Sequence, residues 1–349
     1  MLVGLFFFIR SPWGQDIIVQ KAAKFVSNKT GTAVRIDKLF ITFGGNISLK
    51  GLYLEDLKGD TLVYSKVLET GIEFLPLIRN GEINFSKIDL DGLVANVKRD
   101  SVYQDFNFSF LVDAFVSPVD SANSISETDS VAPFPELSFG PIDLKNVSLH
   151  YDEQVLGIDL IAGWKEIRIE ADRFDLNKMD FGIQNVLIDQ ANIIYLQTHP
   201  FPPSEEVDTL SVSPLPLLVL DMVEIHNSKM EYTSTPDGIS TKMNIGDLFL
   251  SLPEANLEEN KIMLKSLALS DSKIDLRINP DDIGQNVEPS QESVPFLWPD
   301  WWVEVGSLKL ENDQFNFYSG DGVVKKGVFN PEAITLSKLN LQAHSLFLK

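Results

Sequence analysis

The amino-acid sequence predicts a mostly β protein, built as an elongated antiparallel sheet of repeats. Three observations predict it. Apolar residues recur seven times with one uneven spacing, in pairs at i and i+2, i+5 and i+7, and i+12 and i+14; the copies begin at Ile83, Leu137, Phe181, Leu218, Ile262, Val303 and Ile334. The copies form two alternating sets: Leu137, Leu218 and Val303 open one, 81 and 85 residues apart, while Phe181, Ile262 and Ile334 open the other, 81 and 72 apart. No helical periodicity intervenes, so each unit of about eighty residues holds several one-faced strands, and such units stack into an extended sheet.

Within a copy, residues two apart share a strand face. The step of three between the first two pairs would send the second pair to the wrong face, so a bulge or corner must absorb one residue there. The gap before the third pair holds turn-tolerant residues, among them Asp91 and Gly92, Asn227 and Ser228, and Asn312 and Asp313. They suit either a tight turn or a second bulge.

In chain order, Leu2 to Ile9 is apolar and is followed by Trp13. Even with Met1 this is too short to span a bilayer, which takes about twenty residues; a truncated membrane anchor over 1–9 is expected, with Leu2, Leu5, Phe6, Phe7, Phe8 and Ile9 in lipid and Trp13 at the interface. Ile18, Ala22 and Phe25 predict a short amphipathic helix within 10–31, stopped near Asn28 and Gly31. A first β segment covers 32–116, interrupted by the insertion Glu55 to Asp60. The Ser-, Asp- and Pro-rich stretch 117–136 is expected to be a mobile loop, and 198–216 and 279–295 are further Pro-rich loops. Repeated β units fill 137–349. The pattern reaches Leu348 without a polar cap, which predicts either a longer parent protein or a partner over that end.

Composition removes several function classes. The formal charge of −21 argues against a phosphate-backbone partner, so no nucleic acid is expected. Cysteine is absent, which leaves no disulfide and no thiolate metal site. His150, His199, His226 and His344 are far apart; His226 and His344 fall in the repeat's gap and read as solvent-facing turn residues. Asp89 with Asp91, and Asp281 with Asp282, offer weak cation ligands without a calcium-loop spacing. The Gly44 and Gly45 doublet lacks the lysine of a phosphate loop. No nucleophile elbow is present, and no enzyme activity, metal or cofactor is expected. Trp298, Trp301 and Trp302 read as packing at the sheet edge, with an aromatic clamp as the alternative. Asp120-Ser121-Ala122, Asp129-Ser130-Val131 and Asp208-Thr209-Leu210 match a three-residue O-glycosylation pattern of exported proteins.

The opening RSPWGQ, NKTGTAVRIDKLFITF, ISLKGLYLEDLKGDTLVYSK and LIRNGEINFSKIDLDG resemble the N-terminal part of TamB proteins of the Bacteroidota, within the AsmA-like superfamily. The likeness is most specific over Ile47 to Gly92. It implies a β-taco or solenoid-like sheet curled into a groove, anchored in the inner membrane with a periplasmic body in a Gram-negative cell. It also implies phospholipid as cargo and partner, and a BamA-like outer-membrane barrel reached through a C-terminal part that this chain lacks. The expected function is phospholipid carriage between inner and outer membranes, support of outer-membrane protein assembly and secretion, or both. The expected lining is Ile83, Phe85, Phe181, Ile183, Ile188, Leu264, Leu267, Leu269, Leu336 and Leu341. A structural β-solenoid spacer or adhesin with a sealed core is the alternative. A carbohydrate-active β-helix would need carboxylates in register on one face, and the repeats show none.

Overall fold

The computed structural model describes residues 11–41, 46–72, 83–115, 137–175, 180–200, 217–257, 259–279, 301–325 and 327–348. Strands dominate them, and the chain divides into two compact units: Met1–His150 with Asp175–Asn177, and Tyr151–Phe174 with Lys178–Lys349. The candidate anchor residues Leu2, Leu5, Phe6, Phe7, Phe8 and Ile9 lie outside the described residues, as do Gly44, Gly45, Asp281, Asp282, Trp298 and the three glycosylation triplets. Among the described residues no helix is long and apolar enough to cross a membrane.

The first unit opens with helix α1 (Pro12–Thr30). Local chemistry fixes both of its ends. Ser11 Oγ accepts from Gly14 N at 3.0 Å, with Pro12 in the first turn where no N–H is missed. Gly31, at φ 74°, closes the helix by donating to Ser27 O at 2.8 Å. Val19 is buried and Trp13 is exposed. The helix packs on β1 (Val34–Arg35) and β2 (Lys38–Ile41), which both pair with β3 (Asn46–Glu55). Strands β4 (Thr61–Ile72) and β5 (Ile83–Arg99) continue the antiparallel meander, and Glu55 to Asp60 is the β3–β4 turn. Helix α2 (Ser109–Phe115) follows, then β6 (Leu137–Phe139), parallel to β5, and β7 (Ile142–Glu153).

The second unit comprises most of β8 (Ile158–Asp175), then β9 (Asp180–Asp189), β10 (Asn192–Gln197), β11 (Leu217–Ser234), β12 (Ile239–Asn256), β13 (Lys261–Ser270), β14 (Lys273–Ile278), β15 (Trp302–Ser319) and β16 (Ala333–Leu348). Its sheet is mixed, which corrects the antiparallel expectation. β11 and β12 form a hairpin, and β13 and β14 continue antiparallel to β12. β9 and β10, however, run parallel to β11, as do β13 and β14 to β15. The strand ends show the reason: β10 ends at Gln197 beside Ser234 whereas β11 begins at Leu217 beside Asp180, and β14 ends at Ile278 beside Ser319 whereas β15 begins at Trp302 beside Lys261.

The last copy also departs from expectation. It sits on β16, which follows β15 through a hairpin and therefore runs antiparallel to it, unlike the other members of its set. Its topological counterpart is β12.

Candidate functional site

The six-point spacing is realised as rows that cross the strands. Parallel pairing places Phe181, Ile183, Val186, Ile188, Ile193 and Tyr195 beside Leu218, Leu220, Val223, Ile225, Met230 and Tyr232, position for position. It does the same for Ile262, Leu264, Leu267, Leu269, Ile274 and Leu276 beside Val303, Val305, Leu308, Leu310, Phe315 and Phe317. Strand β12 joins the two blocks, so one row reads Ile188, Ile225, Leu248, Leu269, Leu310 and Leu341. Directly paired residues project to the same sheet face. The candidate residues Phe181, Ile183, Ile188, Leu264, Leu267, Leu269, Leu336 and Leu341 all fall in these rows. In the first unit Ile83 and Phe85 pair with Leu137 and Phe139 in the same parallel manner.

The step of three is a pair of compensating bulges. Leu218 opposes Ala255, Leu220 opposes Leu252 and Val223 opposes Leu250, so β12 absorbs its extra residue near Pro253 and β11 near Met222. Proline is tolerated there because a bulge has no ladder N–H to supply.

The later gap is not a turn. At i+9 the backbone enters the left-handed region in six copies: Gly92, Asn146, Gln190, Asn227, Asp271 and Asn312 have φ between 48° and 67°. Glycine, asparagine and aspartate occupy this region at lowest cost, which explains five of the six. The following residue turns inward. Val147, Ala191, Ser228, Ser272 and Asp313 are all buried, and Ser228 alternates in step with Met230 and Tyr232, so it lies on the apolar face.

Ser228, Ser272 and Asp313 form a polar seam that closes the hydrogen bonds the bulges open. Ser228 Oγ accepts from Ala191 N at 3.0 Å and donates to His226 O at 2.8 Å. Ser272 Oγ accepts from Gly246 N at 3.0 Å, while Ser272 N donates to Asp313 Oδ1 at 2.9 Å. The other carboxylate oxygen, Asp313 Oδ2, accepts from Glu311 N at 3.0 Å. Sequence reasoning saw turn-tolerant residues at these positions and missed the seam; the signal was the serine or aspartate that follows Asn227, Asp271 and Asn312.

The opposite face is charged. Lys273 meets Asp275 at 3.0 Å, Lys309 meets Glu311 at 2.5 Å, Lys242 meets Glu231 at 3.0 Å and Lys261 meets Glu254 at 2.9 Å, all at positions that alternate with row residues. In the first unit Lys87 takes Asp89 at 2.5 Å, and Asp91 accepts from Asn146 Nδ2 at 2.7 Å, a bond that holds its carboxyl below the usual range. Asp89 and Asp91 thus have protein partners. Among the described residues no group of three His, Asp or Glu side chains gathers where a metal ion would fit.

His226 is corrected from a turn residue to a strand residue. It stands on the charged face of β11, with Nδ1 2.5 Å from Asp247 Oδ1, Nε2 3.2 Å from Glu224 Oε2, and its ring edge against Phe249. His344 likewise lies within β16, opposite Ser307. Trp302, the first residue of β15, pairs with Lys261 and is exposed.

The apolar face is only partly covered. Among the row residues from β9 to β16 whose burial is described, Val223, Leu252 and Ala255 are buried, Leu336, Leu341 and Leu346 are exposed, and the others are half-buried. Compared with protein-family models and with curated proteins, the chain matches none.

Proposed function

We propose that the second unit offers its apolar face to phospholipid acyl chains, as the body of a membrane-anchored periplasmic β-groove. Such a groove would carry phospholipid between the inner and outer membranes, support outer-membrane protein assembly, or do both. The observation that carries this reading is the incomplete burial of the rows. A sealed core would bury positions such as Ile188, Ile225, Leu248, Leu269 and Leu310, yet each is half-buried.

The energetics favour a lipid on such a face. Each buried CH₂ contributes about 0.8 kcal/mol, so an acyl chain lying along a row is held without any reactive group. The seam does not oppose passage, because the oxygens of Ser228, Ser272 and Asp313 are already engaged with backbone N–H groups. A head group would stay in water at the open side.

Native mass spectrometry of the membrane-extracted protein tests the proposal. Bound phospholipid is expected in the wild type, and Ile188→Asp or Leu269→Asp, two sites in one row, should remove most of it while thermal unfolding stays cooperative. A wild-type protein free of phospholipid, or folded variants that retain it, would reject the conduit.

A further inference from the structure

The β15–β16 connection holds a cluster that the repeat does not explain. Val323, Val324, Val328 and Phe329 are exposed, Val328 at 64% and Phe329 at 79%. The segment has its own internal order. Ser319 N donates to Glu332 O at 2.8 Å and Gly322 N to Ser319 O at 3.0 Å, closing the base. Higher up, Val328 N donates to Lys325 O at 3.3 Å, and Asn330 clamps the two arms: its Nδ2 donates to Val323 O at 3.2 Å and its Oδ1 accepts from Glu332 N at 3.1 Å. Four apolar side chains are thus held outward by a hydrogen-bonded turn. Apolar clusters on a soluble surface mark interaction sites.

Charge selects the occupant. The apex carries exposed Lys325, followed in sequence by Lys326, the one Lys-Lys pair in a chain of net charge −21. The acids Asp321 and Glu332 stand at the base. Aliphatic and aromatic tips beside lysine fit the boundary of a bilayer, where the tips enter the acyl region and the ammonium meets phosphate. A chain of net charge −21 is repelled overall by an anionic surface, so contact with one is made through locally basic points, and Lys325 beside the four apolar tips is such a point.

The geometry points to the β15–β16 tip as a docking loop for an anionic phospholipid surface. It rests on the hairpin alone and stands whether or not the apolar rows carry lipid.

The absence of cysteine makes the test site-specific. Phe329→Cys in the full chain, labelled with an environment-sensitive fluorophore, reports the tip directly, so adhesion through the N-terminal segment does not confuse the readout. Phosphatidylcholine vesicles doped with phosphatidylglycerol should raise its emission several-fold, and a label at Gln342→Cys on the charged face of β16 should not respond. Adding Lys325→Glu should weaken the vesicle titration by at least about fivefold, the effect of one lysine near such a surface. A label at 329 that stays in water on anionic vesicles overturns the proposal, as does an equal rise on pure phosphatidylcholine. So does a label buried by an added envelope protein and not by vesicles.

Discussion

Strands β11 and β16 carry the same six-point spacing and meet different fates. β11 has neighbours on both sides, and each of its six positions finds an apolar partner in parallel register on β9 and β10. Among the described residues β16 pairs with β15 alone, and antiparallel. The spacing is not palindromic: read backwards, its middle pair moves by two residues. The end pairs of β16 therefore still meet apolar partners, with Leu336 opposite Phe315 and Leu346 opposite Val305, but Leu339 opposes the seam residue Asp313 and Ala343 stands opposite Leu308. β12, the other hairpin return, carries the mirrored order, with Met243, Leu248, Leu250 and Ala255 matched to both neighbours. The spacing alone therefore does not fix strand direction: β16 keeps the forward order, still runs antiparallel, and sets Leu339 against Asp313 as a result.

The largest expected difference between the two regions is in packing. Leu252 is 8% exposed and Leu341 45% exposed. Leu252→Ala should cost about 2–5 kcal/mol through lost transfer energy and a residual cavity. Leu341→Ala should cost under about 1 kcal/mol, since much of its area is already in water. Urea unfolding of the two variants checks this, and equal midpoint shifts would show that β16 is covered in solution and not an edge.

Much of this was legible before any coordinates. Period-two pairs at Phe181, Ile183, Val186 and Ile188 declare a one-faced strand because side chains alternate, and the step of three demands a bulge for the same reason. Period two says nothing of direction, so the parallel pairing of copies beginning at Phe181 and Leu218 was not legible within a copy. The clue was the absence of mirroring between them, against its presence in β12. The choice between turn and bulge at Asn227 or Asp271 was equally hidden, because both conformations use a left-handed residue. His226 was misplaced as a result of that ambiguity. The burial of Asp313 follows from a bulge's orphan N–H groups, which only the folded ladder exposes.

The seam gives the second contrast. Asp313, 3% exposed, satisfies Ser272 N and Glu311 N from the buried side. Asn340 on β16 accepts from Asn312 N at 3.1 Å but does so in the open, where water can replace it. Leaving a buried N–H unpaired costs about 1–3 kcal/mol, so Asp313→Ala should destabilise by roughly 2–4 kcal/mol and Asn340→Ala by less than about 0.5 kcal/mol. Amide hydrogen exchange sharpens the comparison: the Ser272 and Glu311 amides should lose protection in Asp313→Ala, while the Asn312 amide changes little in Asn340→Ala. Retained protection at Ser272 would mean that the seam is not held by side chains.

The smallest effect is electrostatic and belongs to the charged face of β11. The hydrogen bond to Asp247 raises the His226 pKa above its ordinary 6.5; burial works against this, and Glu224 reinforces it. The folded state therefore binds the proton more tightly than the unfolded chain, whose histidine titrates near 6.5. The resulting stabilisation is fully present below that value and is lost as pH rises through the higher folded value. Unfolding free energy measured from mildly acidic to mildly alkaline pH should fall more steeply in the wild type than in His226→Gln, which keeps a hydrogen-bonding side chain without the titration. Parallel pH profiles would show that His226 and Asp247 do not pair in solution. That result would leave the apolar rows intact, because His226 and the rows occupy opposite faces of the same strand.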